Sequence, residues 1–256
     1  MVLAAVELRT QRTSEGKARL EQLAQERFPA ALRTRSKHLF AAGEVPRAIE
    51  DLQLAATLQP FFVPGQIRLA TLLRESNQSE KSRQALRRLL AAEHGLSGQR
   101  WRGIQLVKAG FFTEALGDLE AVHGQRPEDY TTAFSLGVAL AATGQRQRAQ
   151  GLLQLALQRV AQARNVVRAG RFSRTLRQFA DHPLLPPAAA ELLFQVELQA
   201  LGHYLELAPG DPQARLRRAV LAQHFGEHDL AIEDYRAVAA TRPLSPEHRL
   251  SLAKSL

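Results

Sequence analysis

The sequence predicts an all-α fold, a solenoid of stacked helix-turn-helix hairpins. Three observations carry this. A turn recurs along the 256-residue chain at Ala42-Gly43, Asn77, Ala109-Gly110, Thr143-Gly144, Ala169-Gly170 and Phe225-Gly226. Seven residues before each turn the side chain is small: Ser36, Ala70, Gly103, Gly137, Ala163 or Ala219. Nine residues after it stands Leu52, Leu86, Leu119, Leu153, Phe179 or Tyr235. The flanking segments are rich in Ala, Leu, Arg and Gln, which favour helix, with apolar residues at three- and four-residue spacing. Small residues let two antiparallel helices approach closely, and Gly or Asn reverses the chain in the left-handed conformation. One such hairpin cannot bury its apolar face alone, so neighbours stack.

Taken in order, residues 1–28 read as a capping helix or a degenerate half-repeat, with Leu20, Leu23 and Phe28 on a helix from Ser14. In the second case the chain is a piece of something longer. Residues 29–161 hold four hairpins whose turns are 34, 33 and 34 residues apart. Pro60 and Pro127 each end a second helix. Residues 162–211 are irregular, because the turn spacing falls to 26 and then rises to 56. The expected contents are one continuous helix over 145–169 shared by two repeats, a short helix over 172–180, a break at His182-Pro-Leu-Leu-Pro-Pro187, and an added helix over 188–207. This break is expected to divide two sub-solenoids. The regular pattern resumes at 212–243. Residues 244–256 read as a capping helix, with Ser245 as N-cap and Pro246 at the first helical position.

Composition narrows the function. The chain is 45% hydrophobic, enough for a core. It has no cysteine, which excludes disulfides, thiolate metal sites and thiol nucleophiles. No apolar run reaches the ~18 residues of a membrane helix, and no secretion signal is present, so no membrane insertion is expected and the cytoplasm is the default compartment. The excess of arginine over lysine fits a GC-rich bacterial genome. Net charge is +9, from 34 basic and 25 acidic residues. No Asp or Glu lies between Tyr130 and Ala180, a stretch that holds Arg146, Arg148, Arg159, Arg164, Arg168, Arg171, Arg174 and Arg177. That basic patch would attract anionic surfaces.

The combined offsets resemble the tetratricopeptide repeat family over most of 29–243. The match is close at 212–243, through Ala219, Gly226, Ala231, Tyr235 and Pro243, and at 130–161, through Leu136-Gly137, Gly144 and Ala149. The family's large aromatic early in the first helix is missing, with Leu32, Gln66, Gln99, Ala133 and Arg215 in its place. Arg35, Arg102 and Arg218 stand where an apolar residue is usual. The resemblance implies a right-handed superhelix whose first helices line a concave groove. Mapped onto it, the groove candidates are Arg33, Lys37, Arg68, Thr71, Arg100, Trp101, Lys108 and Phe134. The family's carboxylate clamp needs asparagine where this chain has Lys37 and Arg68, so that specificity is not carried over.

No catalytic constellation is found, and no cofactor or metal is expected. His224 and His228 flank a turn rather than share a helical face. Asp118, Glu120, Glu233 and Asp234 read as solvated helix face. The leading expectation is a non-enzymatic protein–protein interaction scaffold that holds an acidic or amphipathic peptide in its groove, with arginine pairing to carboxylates and Trp101 as an apolar anchor. The alternatives are an anion- or nucleic-acid-binding module using the basic patch, and a regulatory fragment of a larger protein.

Overall fold

The computed structural model describes residues 14–92 and 95–256. Residues 1–13 of the expected capping helix or half-repeat lie outside them. The described residues contain helices and no strand. In chain order the helices are α1 (Ser14–Gln25), α2 (Pro29–Ala41), α3 (Val45–Leu58), α4 (Val63–Glu75), α5 (Ser79–Ala91), α6 (Leu96–Lys108) and α7 (Phe112–Gln125). They continue as α8 (Tyr130–Ala142), α9 (Arg146–Gln162), α10 (Val166–Ala180), α11 (Pro187–Leu207), α12 (Pro212–His224), α13 (His228–Ala239) and α14 (Pro246–Ser255). The chain forms two compact units, divided between Gly98 and Gln99.

The hairpin turns follow from backbone chemistry. Gly43, Gly110, Gly144 and Gly226 have φ between 75° and 84°, and Asn77 has φ 59°. Each lets the next N–H bond back to a carbonyl of the preceding helix. Gln78 N donates to Leu73 O and Gln145 N to Leu140 O, both at 2.8 Å, and Glu227 N to Ala222 O at 2.7 Å. These bonds satisfy carbonyls that the helix end leaves open.

In the first unit α2 pairs with α3 and α4 with α5, α3 packs on α4, and α1 packs on α2. In the second unit α8 pairs with α9, α10 with α11 and α12 with α13, while α14 packs on α13. The small-against-large rule is visible at Gly103, where a Cβ would stand 2.8 Å from the Leu119 side chain. At Gly137 it would stand 2.9 Å from Leu153 Cγ. Leu119, Leu153 and Tyr235 are fully buried.

The irregular section differs from its expectation. The continuous helix over 145–169 is two helices, α9 and α10, broken at Arg164 with φ 43°. Asn165 caps α10 by accepting from Arg168 N at 2.9 Å. Gly170 is therefore no turn but an interior residue of α10. A Cβ there would meet Tyr204 Cε2 at 2.9 Å, so the missing side chain makes room for a tyrosine of α11. The proline-rich break is the loop of the α10–α11 hairpin, with Leu185 buried in it. It divides no sub-solenoids. The 21-residue α11 also packs on α8, α9 and α12, which makes this section an integral part of the second unit.

Three arginines at apolar family positions are held in place across their hairpins. Arg35 Nε and Nη2 donate to Asp51 at 2.7 and 2.6 Å. Arg102 does the same to Asp118 at 2.6 and 2.7 Å, and Arg218 to Asp234 at 2.7 and 2.8 Å. Arg215 Nη1 adds a further bond to Asp234 at 2.9 Å. Asp118 and Asp234, expected as solvated helix face, are buried. A buried carboxylate persists only when its charge and lone pairs are met, and a planar guanidinium meets them two at a time. Glu120 and Glu233 lie outside this core, and Glu120 accepts from Arg148 Nη2 at 2.8 Å on the surface.

Candidate partner-binding cleft

The second unit holds a cleft of about 470 Å³ between α10 and α12, floored by α11. Its near wall is α10. The break at Arg164 sets this helix so that Phe172, Leu176 and Phe179 are buried while Arg168, Arg171, Arg174 and Arg177 face solvent. Arg174 and Arg177 reach the cleft. Beside them at the N-terminal end of α10 lie Val166 and Val167, 41% and 61% exposed. Two adjacent solvated valines next to two cations form a mixed apolar and basic wall.

The far wall and floor carry charges that are already matched. Arg217 donates to Glu197 at 2.9 and 2.7 Å, and Glu197 is buried. Burial opposes the Arg217 charge, but the bonds to Glu197 and its negative charge prevail and hold the pKa above the ordinary value. Asp211 accepts from the Tyr204 hydroxyl at 2.8 Å and caps α12 by accepting from Gln213 N and Ala214 N. Burial would push the Asp211 carboxyl up; the Ala214 N–H, the Tyr204 hydroxyl and the Gln213 N–H outweigh it and hold the pKa low. The same hydrogen bond raises the Tyr204 hydroxyl. The cleft therefore offers cations on the α10 side and matched pairs opposite.

The predicted groove residues are distributed over both units. In the first unit Arg33 donates to Gln59 Oε1 at 2.8 Å and lies 4.0 Å over the Phe62 ring. Desolvation by its surroundings lowers its pKa. Arg68 lies 5.1 Å over the Phe40 ring, Thr71 Oγ1 donates to Ile67 O at 2.9 Å, and Lys37 is exposed. In the second unit Lys108 and Trp101 are exposed, Trp101 at 43%. Phe134 needs correction. It is buried, with its ring edge-on to Phe172 at 5.4 Å and Phe179 at 5.6 Å. Because α10 begins at Val166, its two phenylalanines seat on the α8 face that was expected to be open.

Arg100 serves a structural purpose. Its guanidinium pairs with Asp129, the N-cap of α8. Burial would raise the Asp129 carboxyl, but hydrogen bonds from Arg100 and Thr132, the Arg100 charge and the Thr131 N–H hold its pKa at about 2, against an ordinary 3.8. A depressed carboxyl stabilises the fold above its unfolded-state pKa, and that stability is lost as pH falls through the folded value. Acid titration of the parent should therefore show a loss of stability between about pH 4 and pH 2, followed by Trp101 fluorescence in urea. Asp129→Asn should lower stability at pH 7 and flatten that part of the profile.

All eight arginines of the basic patch are exposed, and they are spread over two helices and the turn between them. Arg146 and Arg148 open α9, Arg159 lies near its end, Arg164 is in the turn, and the other four are on α10. Arg148 pairs with Glu120, Arg177 lies 3.7 Å from Asp181, and Arg168 lies 5.5 Å over the Tyr130 ring.

A tetratricopeptide repeat family model matches residues 102–164, which run from α6 into the α9–α10 turn. Residues 102–164 of this chain carry tetratricopeptide repeats. No curated protein matches it. Solved structures similar to it include a chain of the APC/C hetero-tetramer Cut9–Hcn1, at 16% identity and a TM-score of 0.41 over 93% of this chain; the chain covers 46% of that one. A tetratricopeptide repeat protein from Parabacteroides merdae is 15% identical with a TM-score of 0.45, over 89% of this chain and 85% of that one. The C-terminal part of a repeat-containing protein from Cytophaga hutchinsonii is 13% identical with a TM-score of 0.46, over 98% of each chain.

Helices α10 and α12 are each the first helix of a hairpin, so the arginine-rich helix stands on the side where the groove is expected. Sequence reasoning treated them as separate candidates. It also missed Val166, Val167, Glu197, Tyr204 and Asp211. The available signal was Asn165, a good N-cap followed directly by Val166 and Val167.

Proposed function

We propose that this chain is a non-enzymatic protein-interaction scaffold. Its α10–α12 cleft takes a peptide segment that carries carboxylates and an apolar side chain. The observation that supports this reading is the α10 wall, where Arg174 and Arg177 stand beside exposed Val166 and Val167. Glu197 and Asp211 across the cleft are already bonded to Arg217 and Tyr204, so they leave Arg174 for a ligand, while Arg177 lies 3.7 Å from Asp181 in an exposed pair with which a ligand carboxylate would compete. The guanidinium fork pairs bidentately with a carboxylate, and the valines give an incoming apolar group somewhere to leave water. A preformed helical wall adds little ordering cost. No described helix is long and apolar enough to cross a membrane.

The test is selection from a random peptide display library on the immobilised chain. Enriched peptides should combine Asp or Glu with a large apolar residue. Their affinity should fall about tenfold or more for Arg174→Glu/Arg177→Glu. Retained affinity in that variant would remove the cleft from consideration. A labelled single-stranded oligonucleotide tests the anion-binding alternative. If it binds more tightly than the selected peptides, with affinity falling steeply as salt rises, the phosphate backbone is the better ligand.

A further inference from the structure

The first unit has a groove of its own, formed by the second helices of its hairpins. It lies between the second helices α3 and α5 and has a volume of about 450 Å³. Leu69 and Leu73 of α4 form part of its lining. At its rim stands Phe61, 73% exposed in the α3–α4 loop, with Leu58 exposed three residues earlier. Leu69 and Leu73 are buried and close the base of the groove, so the solvated Phe61 at its mouth is the ready anchor for an apolar side chain.

The α5 wall sets the charge of the occupant. Lys81, Gln84, Ala85 and Arg88 all line the groove. They follow the i, i+3, i+4, i+7 spacing of one helical stripe, so Lys81 and Arg88 stand on one side about 10 Å apart along the axis. Glu80 does not neutralise them. It faces Arg83 at 3.5 Å and Arg87 at 3.8 Å, while Lys81 Nζ donates to the neutral Gln78 Oε1 at 2.9 Å. No carboxylate lines the groove among the described residues.

We propose that this groove docks an amphipathic acidic helix of a partner protein. Two carboxylates seven residues apart on that helix would match the separation of Lys81 and Arg88. An apolar residue between them would meet the exposed Phe61. Two cations are too few for a nucleic-acid track, and the leucines lie within a groove, where a flat membrane surface does not reach.

The probe is a fluorescein-labelled, N-acetylated, C-amidated 15-residue helix of Glu and Leu at amphipathic spacing. It is titrated against the full chain by anisotropy, beside a Lys/Leu peptide of the same pattern. Saturable binding of the acidic peptide is expected, weakened about tenfold or more by Lys81→Glu/Arg88→Glu and separately by Phe61→Ser. Arg174→Glu/Arg177→Glu, in the other unit, should leave it within about twofold. The substituted side chains are exposed, and far-UV circular dichroism checks each variant's helix content. Absent binding, equal binding of the Lys/Leu peptide, or indifference to the groove substitutions would overturn the proposal. So would a loss of binding confined to the Arg174/Arg177 variant, which would put the peptide in the α10–α12 cleft.

Discussion

Asp118→Ala is expected to destabilise the second unit by about 3–5 kcal/mol, the cost of breaking a buried ion pair from one side. Both partners are nearly inaccessible, with side chains 5% and 6% exposed, and the pair is bidentate. Removing the carboxylate takes the bidentate partner away from a guanidinium in a low-dielectric site. The loss therefore reports the desolvation of Arg102 more than the attraction itself. The companion variant Arg102→Met/Asp118→Leu removes both charges and fills the space with apolar atoms. It should recover most of the stability, because replacing a buried pair by packed hydrophobic residues is often neutral or better. Urea unfolding followed at Trp101, one residue before Arg102 on α6, reads the unit that contains the pair. Equal destabilisation by the single and double variants would show that packing, not charge, governs this position.

Gly137→Val is the second large effect, through overpacking. A Cβ at Gly137 would lie 2.9 Å from Leu153 Cγ, 3.0 Å from Leu153 Cδ2 and 3.3 Å from the Ala149 carbonyl. Leu153 and Ala149 are fully buried, so neither can swing into solvent. The α8–α9 hairpin has to open, at a cost of about 1–3 kcal/mol. Leu153→Ala alone should also destabilise, by about 2–5 kcal/mol, by leaving a cavity. Combined, the two changes should cost clearly less than their sum, because the valine occupies part of the volume that the leucine vacates. Additive costs in denaturant unfolding would mean that these side chains do not share one space.

The regular hairpins were legible because their constraints are local and repeated. Gly43, Asn77, Gly110, Gly144 and Gly226 all hold positive φ, as a chain reversal at a helix end requires. Gly170 misled because glycine answers two physical needs. Here it clears space for Tyr204, and nothing in the neighbouring sequence distinguishes that from a turn. Arg164 makes the real turn without glycine. Phe134 was misplaced for the same reason, since its cover depends on where α10 starts. Asp118 and Asp234 read as surface because helical period alone cannot see across a hairpin. Their signal lay between segments: Arg eight residues before a turn coincides with Asp eight residues after it at 35 and 51, 102 and 118, and 218 and 234. The α10–α12 cleft could be found only after the α9–α10 break was placed.

The buried ion pairs also bear on how the chain avoids assembling itself wrongly. Arrays of similar hairpins risk exchanging partners during folding, because each first helix finds several second helices of nearly the same shape. In this chain the positions eight residues either side of the turn are of two kinds, charged at 35/51, 102/118 and 218/234 and apolar at 136/152. They hold Arg102 and Asp118 in α6–α7, but Leu136 and Leu152 in α8–α9. If α6 zipped against α9, it would bury the Arg102 guanidinium opposite a leucine, and Asp118 would be left to find another cation. Such a pairing would set a guanidinium against an apolar surface and would be disfavoured. Charged hairpins are thus set apart from apolar ones, while the three that share the Arg–Asp pair are not told apart by it.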